Sequence, residues 1–307
     1  MVTERDDAPF GVVVNPSSAL GRGAGVARQV LAELGRRGVA ATEISGADAA
    51  ACRAAVQAAC AAGLRGLILV GGDGLLGLVL QLPEARALPV GVVPAGTGND
   101  FARQFRLSKR PTHAVRRILA AEGRPQAVDL GVVRCGGSDS GEATQDHWFA
   151  GGLSIGFDAA INRRANALRL PIGAMRYHVA LLAELLTLRS RPFKVTLNGD
   201  AHRFTGLLAT AMNTRAIGGG IPLAPRATTD DGLLDLVEVS HGTRLRIFSV
   251  LGLLAQGKHE PLPEVTITRV AQARIEAGDE VAYADGERVG SGPFEVRAAP
   301  GALTLLA

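Results

Sequence analysis

Apolar positions recur with two different rhythms along this 307-residue chain. In the first 130 residues, short apolar runs stand between longer stretches with helical spacing. Phe10 to Val14 predicts a strand, Asn15 to Gly25 a turn-rich loop, and Val26, Val30, Leu31 and Leu34 the buried stripe of a helix. Val39 to Ile44 predicts a second strand and Ala47 to Ala62 a second helix. Leu67 to Val70 predicts a third, buried strand that runs straight into Gly71-Gly72-Asp73-Gly74. Val90 to Val93 predicts a fourth, ending in the loop Pro94 to Asp100. A helix marked by Ala114, Val115, Ile118 and Leu119 follows. Strands separated by helices argue for an α/β layer around a mainly parallel sheet.

The rhythm changes near Asp129. Short alternating runs follow at Leu130–Arg134, Trp148–Ala150, Phe193–Leu197, Leu207–Met212, Leu233–Val239, Val265–Ile267, Ala273–Ile275 and Phe294–Arg297. Gly, Asn and Asp separate many of them, the pattern of antiparallel β structure. Ala159 to Leu188 is the main helical exception. The expected organisation is an α/β domain over residues 1–128 and a β-rich domain over 129–307, the last strand or tail being free to pack back on the first domain.

Composition narrows the function. Apolar residues make up 47% and charged residues 20%, a globular balance. Lys plus Arg is 33 against 29 for Asp plus Glu, and aromatics are 4%. A nucleic-acid binder shows a basic domain with interleaved aromatics, so no nucleic-acid partner is expected. Cys52, Cys60 and Cys135 are too few for a disulfide framework and lack metal spacing. The six histidines are scattered, with no pair four apart. Met1 to Pro9 has no apolar core of a signal peptide, and no run approaches the ~18 apolar residues of a spanning helix. A cytoplasmic chain is the expectation.

The candidate chemistry lies in glycine-rich loops after strands, where open α/β sheets bind ligands. Without a Cβ, backbone N–H groups can approach phosphate oxygens closely. Gly21-Arg22-Gly23-Ala24-Gly25 is a weak relative of the dinucleotide fingerprint, with Val26 in place of its third glycine, and there is no glycine-lysine-Ser/Thr run of a Walker loop. Gly71-Gly72-Asp73-Gly74 is more specific, since a carboxylate beside phosphate-binding glycines can meet a metal-bound nucleotide. Read alone, that tetrapeptide is equally well a turn closing a strand.

With Val93-Pro94-Ala95-Gly96-Thr97-Gly98-Asn99-Asp100-Phe101-Ala102-Arg103 some twenty residues later, the pair of loops resembles the diacylglycerol kinase catalytic-domain family, most closely its soluble bacterial lipid kinases. Asn15-Pro16 with Ser18, Asp129-Leu130-Gly131, Gly151 to Asp158, Gly218-Gly219-Gly220 with Ala224-Pro225, Asp230-Asp231-Gly232-Leu233-Leu234-Asp235, Gly257-Lys258-His259 and Asp285-Gly286-Glu287 follow in family order. The resemblance implies an α/β nucleotide-binding domain, a C-terminal antiparallel β-sandwich and an active site between them. It implies transfer of the ATP γ-phosphoryl to a lipid hydroxyl, diacylglycerol the leading acceptor. Nucleotide contacts then fall on Asn15, Pro16, Ser18, Ser45, Gly71, Gly72, Asp73, Gly74, Thr97, Gly98 and Asn99. The proton acceptor falls on Glu287, beside Asp285. A Mg²⁺ site would use the Asp231 side chain with carbonyls of Thr228 and Leu233.

Elementary chemistry accords with these roles. Phosphoryl transfer needs positioning, charge neutralisation and a carboxylate that orients the attacking hydroxyl. Asp285 and Glu287 would share one face of a strand, while Gly286 favours a turn equally. The sequence departs from the family after Gly74. Leu75, Gly77 and Leu78 stand where relatives carry Thr, Asn and Glu, so weak nucleotide affinity is expected. A nucleotide- or lipid-binding protein on the same fold and an NAD kinase are the alternatives, the long β-rich domain favouring the lipid branch. Ala159 to Lys194 holds seven basic residues (Arg163, Arg164, Arg169, Arg176, Arg189, Arg191 and Lys194) against Glu184 alone. This segment is either a solvated face or a surface docking on anionic lipid, peripheral to a membrane. The association state stays open, a homodimer included.

Overall fold

The structure, a computed structural model, describes residues 8–14, 22–136, 145–167, 179, 180, 183, 184, 189–241, 246, 250, 252–254 and 256–307. The chain forms two compact units, one of residues 1–128 with 301–307, the other of residues 129–300.

The first unit alternates strand and helix: β1 (Phe10–Val14), α1 (Arg22–Arg36), β2 (Ala41–Ser45), α2 (Ala49–Ala62), β3 (Gly66–Gly71), α3 (Asp73–Leu80), α4 (Pro83–Arg86), β4 (Val90–Pro94), α5 (Asp100–Gln104) and α6 (Pro111–Ala121). Its sheet runs β2-β1-β3-β4, all parallel. β1, β3 and β4 are buried along their whole length, as unbroken apolar runs require, whereas β2 at the edge buries only Ile44. Helices close the core by their stripes. α1 buries Ala27, Val30 and Leu34, and α6, opened by Pro111, buries Ala114, Val115, Ile118 and Ala121. The Asp48 side chain caps α2 by accepting from the Ala51 N–H at 2.8 Å.

The second unit begins within β5 (Gln126–Cys135) and continues through β6 (His147–Phe149), β7 (Gly152–Ser154), α7 (Phe157–Ala167), β8 (Arg191–Leu197), β9 (Asp200–Met212), β10 (Leu234–Ser240), β11 (Val265–Val270), β12 (Gln272–Glu276), β13 (Val281–Ala284), β14 (Glu287–Ser291) and most of β15 (Phe294–Leu306). Antiparallel pairing gives the order β14-β13-β7-β9-β8-β12-β15. β9 pairs β8 through residues 200–206 and β10 through residues 206–212, and β11 adds to β10. Two apolar cores result. One centres on Phe149, Phe193, Ile275 and Phe294, the other on Phe157, Met212, Val237 and Leu223.

The last residues of β15 belong to the first unit. Leu305 and Leu306 pair in parallel with Val90 and Gly91, so β15 extends that sheet beyond β4. Leu303, Leu305 and Leu306 are buried there. Three features differ from the periodic expectation. The segment after Gly72 is helical, β9 and β15 are each 13 residues long, and β13 and β14 form a hairpin that the alternation did not mark. Of the helix expected over Ala159–Leu188, α7 holds the first part, and most of the remainder lies outside the described residues.

Candidate functional site

Of the three glycine loops in the first unit, two lie within the described residues. Asn15, Pro16 and Ser18 lie outside the described residues. The other two loops are knitted together. The Asp73 carboxylate accepts from the Asp100 N–H at 3.0 Å and from the Phe101 N–H at 3.1 Å, at the start of α5. Ala95 N–H donates to the Gly71 carbonyl at 2.8 Å. Asn99, at a φ of 56°, closes its own loop by exchanging hydrogen bonds with Gly96. The backbones touch where both residues lack a side chain, since a Cβ on Gly96 would lie 2.5 Å from the Gly72 Cα. Only glycine allows that approach. Gly74 and Thr97 remain exposed around this junction, and Gly98 lies against Asp73. Ser45 is exposed at the end of β2. Glycine caps α3 without a side-chain bond, so its first turn presents backbone N–H groups of the kind that hold phosphate.

In the second unit, Asp285 and Gly286 form the two-residue turn of the β13–β14 hairpin. Their φ values are 48° and 86°, and Ala284 pairs with Glu287 across it. The turn reading of Asp-Gly-Glu is therefore the one the chain adopts, and the two carboxylates diverge in role. Asp285 accepts from the N–H groups of Ala150, Gly151 and Gly152 at 2.7, 2.8 and 3.0 Å. Those donors occupy its oxygens, so Asp285 brackets the hairpin onto the 150–152 segment. Glu287 is exposed at the start of β14.

The Asp230–Leu233 turn packs against Asp129, whose carboxylate accepts from the Gly232 N–H at 2.6 Å. Asp231 accepts from the Leu233 N–H at 3.1 Å and lies 3.4 Å from the Arg269 guanidinium. Burial, helped by the Asp231 charge and opposed by Arg269, pushes the Asp235 carboxyl up to about 6. Asp231 is an exposed carboxylate, an oxygen ligand of the type a hard cation takes. Among the described residues no three His, Cys, Asp or Glu side chains gather around one point, so backbone oxygens would complete such a site. Thr228, half-buried, is close in sequence to supply one.

Residues 9–133 match the diacylglycerol kinase catalytic domain, and residues 151–307 match the YegS C-terminal NAD kinase beta sandwich-like domain. A diacylglycerol kinase of Mycobacterium tuberculosis (strain ATCC 25618 / H37Rv) is 37% identical over 295 residues, covering 96% of this chain and 93% of that one. The chain belongs to the diacylglycerol kinase family. It is accordingly a kinase, a phosphotransferase of the lipid-kinase type. In fold it resembles a diacylglycerol kinase from Bacillus anthracis (TM-score 0.71, 17% identity, 97% of this chain and 96% of that). It also resembles yeast NADH kinase (TM-score 0.54, 8% identity, 98% and 83%).

Within this kinase, sequence reasoning missed the residues that hold the site rather than face it. Asn213 is fully buried and donates through Nδ2 to the Asp129 and Ala150 carbonyls, each at 2.8 Å. Asp158, in the first turn of α7, is buried, accepting from Thr210 and from the Ala159 N–H, and desolvation pushes its carboxyl up to about 6 against those bonds. A carboxylate inside an apolar run, as in Gly156-Phe157-Asp158-Ala159, was the available signal. The apolar departure after Gly74 divides in two. Leu75 is core, packed beneath Gly71, while Gly77 borders open space and Leu78 is half-buried. Among the described residues no helix is long and apolar enough to cross a membrane.

Proposed function

We propose that this chain transfers the γ-phosphoryl of ATP to the free hydroxyl of diacylglycerol, with Mg²⁺, at the cytoplasmic surface of a membrane. The observation that carries the reading is 37% identity to a diacylglycerol kinase across 96% of the chain. The nucleotide binds on Asn15, Pro16, Ser18, Ser45, the Gly71–Gly74 turn and Thr97, Gly98 and Asn99, where backbone N–H groups and the α3 start meet phosphate. Glu287 takes the hydroxyl proton as the oxygen attacks the γ-phosphorus and the bond to the ADP oxygen breaks. Its exposure on a bracketed hairpin supports that role. Asp285 holds the bracket. Mg²⁺ bound by Asp231 with the Thr228 and Leu233 carbonyls would neutralise charge in the second unit. Arg163, exposed on α7, supplies attraction to anionic lipid, whereas Arg164, Arg191 and Lys194 of the same basic segment pair with Glu184, Glu280 and Glu276.

Radiolabelled ATP with mixed vesicles of diacylglycerol, ceramide, monoacylglycerol or sphingosine tests the reading. Labelled phosphatidate, formed with Mg²⁺ and abolished by EDTA, is the expected product. Label in another lipid at a greater rate replaces the acceptor. Glu287→Gln lowers turnover about 10²–10⁴-fold, and an unchanged rate removes it from the mechanism.

A further inference from the structure

Beside the apolar residues Phe157 and Ile161 that it packs into the core, α7 carries a polar stripe. Asp158, Asn162 and Asn166 recur every fourth residue, so they share one face. Each makes a rung. Asp158 accepts from Thr210 on β9, Asn162 Nδ2 lies 3.4 Å from Ser154 Oγ on β7, and Asn166 Nδ2 donates at 2.8 Å to the Gly286 carbonyl. Burying such groups costs stability unless every rung is satisfied, and an apolar face would avoid that cost. The two deep rungs fix the helix. The third, at the solvent edge, reaches the tip of the β13–β14 hairpin.

The Gly286 carbonyl belongs to the peptide unit that also holds the Glu287 N–H. Because that unit is planar, a bond to its oxygen fixes the plane from which the Glu287 Cα departs. Asp285 pins the preceding peptide through three N–H groups of residues 150–152. Glycine suits the φ of 86° at this point, and a Cβ on Gly286 would meet Asn162 Oδ1 only at an ordinary contact distance of 3.9 Å. The tip is thus held from two sides, and among the described residues the side chain bonded to the peptide adjoining Glu287 is Asn166, beside the strand pairing of Glu287 with Ala284.

We propose that Asn166 is a positioning residue for phosphoryl transfer, setting the direction of the Glu287 carboxylate through the Gly286 carbonyl. The proposal rests on Glu287 being the proton acceptor. Small misplacements of a reacting group cost up to about 10²-fold in rate, so Asn166→Asp, which keeps the shape and loses the donor, lowers kcat roughly 10-fold. KM for ATP stays within twofold, and the melting temperature changes little because Asn166 is exposed. Asn166→Gln, which keeps a donor, recovers part of the loss. In a Glu287→Gln background, Asn166→Asp causes no further loss. An unchanged kcat in Asn166→Asp, or an equal tenfold loss in both backgrounds, overturns the proposal. A full rate in Glu287→Gln alone instead marks failure of the proton-acceptor reading, and Asn166 then has nothing to position.

Discussion

Asp158 is a carboxylate placed where water does not reach. Its folded pKa of about 6 exceeds the usual 3.8 because burial outweighs its hydrogen bonds. A raised acid favours the folded state below its unfolded pKa, and that advantage is lost as pH rises through the folded value. Between pH 4 and pH 6 the loss amounts to about 2 kcal/mol. Denaturant midpoints for the native chain are therefore expected to fall across this window relative to Asp158→Asn, which cannot ionise. Parallel pH profiles for the two proteins would refute this account. The apolar run around Asp158 is the one local sign of its burial, while its partner Thr210 lies 52 residues away.

At the scale of elements, α3 shows what the periodicity could and could not disclose. The strand, the glycines and Asp73 were readable from Leu67 to Gly74, since an apolar run ending in Gly-Gly-Asp-Gly carries its own boundary. The helical continuation was not, because Leu75, Leu76, Leu78, Val79 and Leu80 form a nearly unbroken apolar run without a polar face to set the period. Long-range partners hid other features. The clasp of Asp73 on the start of α5 and the hold of Asp285 on residues 150–152 join segments 27 and about 135 residues apart. The hairpin turn at Asp285-Gly286, by contrast, is written in an Asp-Gly pair. The geometry of α3 also separates the three departures from the family. Leu75 is core, and threonine there would leave a void and a buried hydroxyl. Gly77→Asn with Leu78→Glu, Leu75 retained, is expected to tighten ATP binding by one to two decades, the worth of one restored bond to a charged group. Calorimetric titration beside a thermal melt checks it, and a stable double variant with unaltered affinity would show that α3 does not meet the nucleotide.

At the scale of the whole molecule, the periodic reading separated an α/β part from a β-rich part, but it did not mark the run from Ala298 to Leu306 as strand. Those residues carry Leu303, Leu305 and Leu306, buried to within 2%. At about 1.5–3 kcal/mol each, their removal costs an amount comparable to a domain's whole stability of roughly 5–15 kcal/mol. A chain ending at Pro300 is expected to lose the first unit's cooperative melt and most of its soluble yield. Retention of the native melting curve would show that β4 tolerates an open edge.

The same strand orders events on the ribosome. Residues 8–128 can leave the exit tunnel early, with β1 to β4 and their helices in hand, yet the sheet stays one strand short until residues 301–307 emerge. For the whole time that the second unit is being made, β4 offers the backbone groups that β15 will later fill to whatever strand is nearby. Slow synthesis of the second unit lengthens that exposure, so this kinase is expected to need a holding chaperone for its first unit more than a kinase whose nucleotide domain closes from its own residues, which synthesis with the chaperone depleted would check.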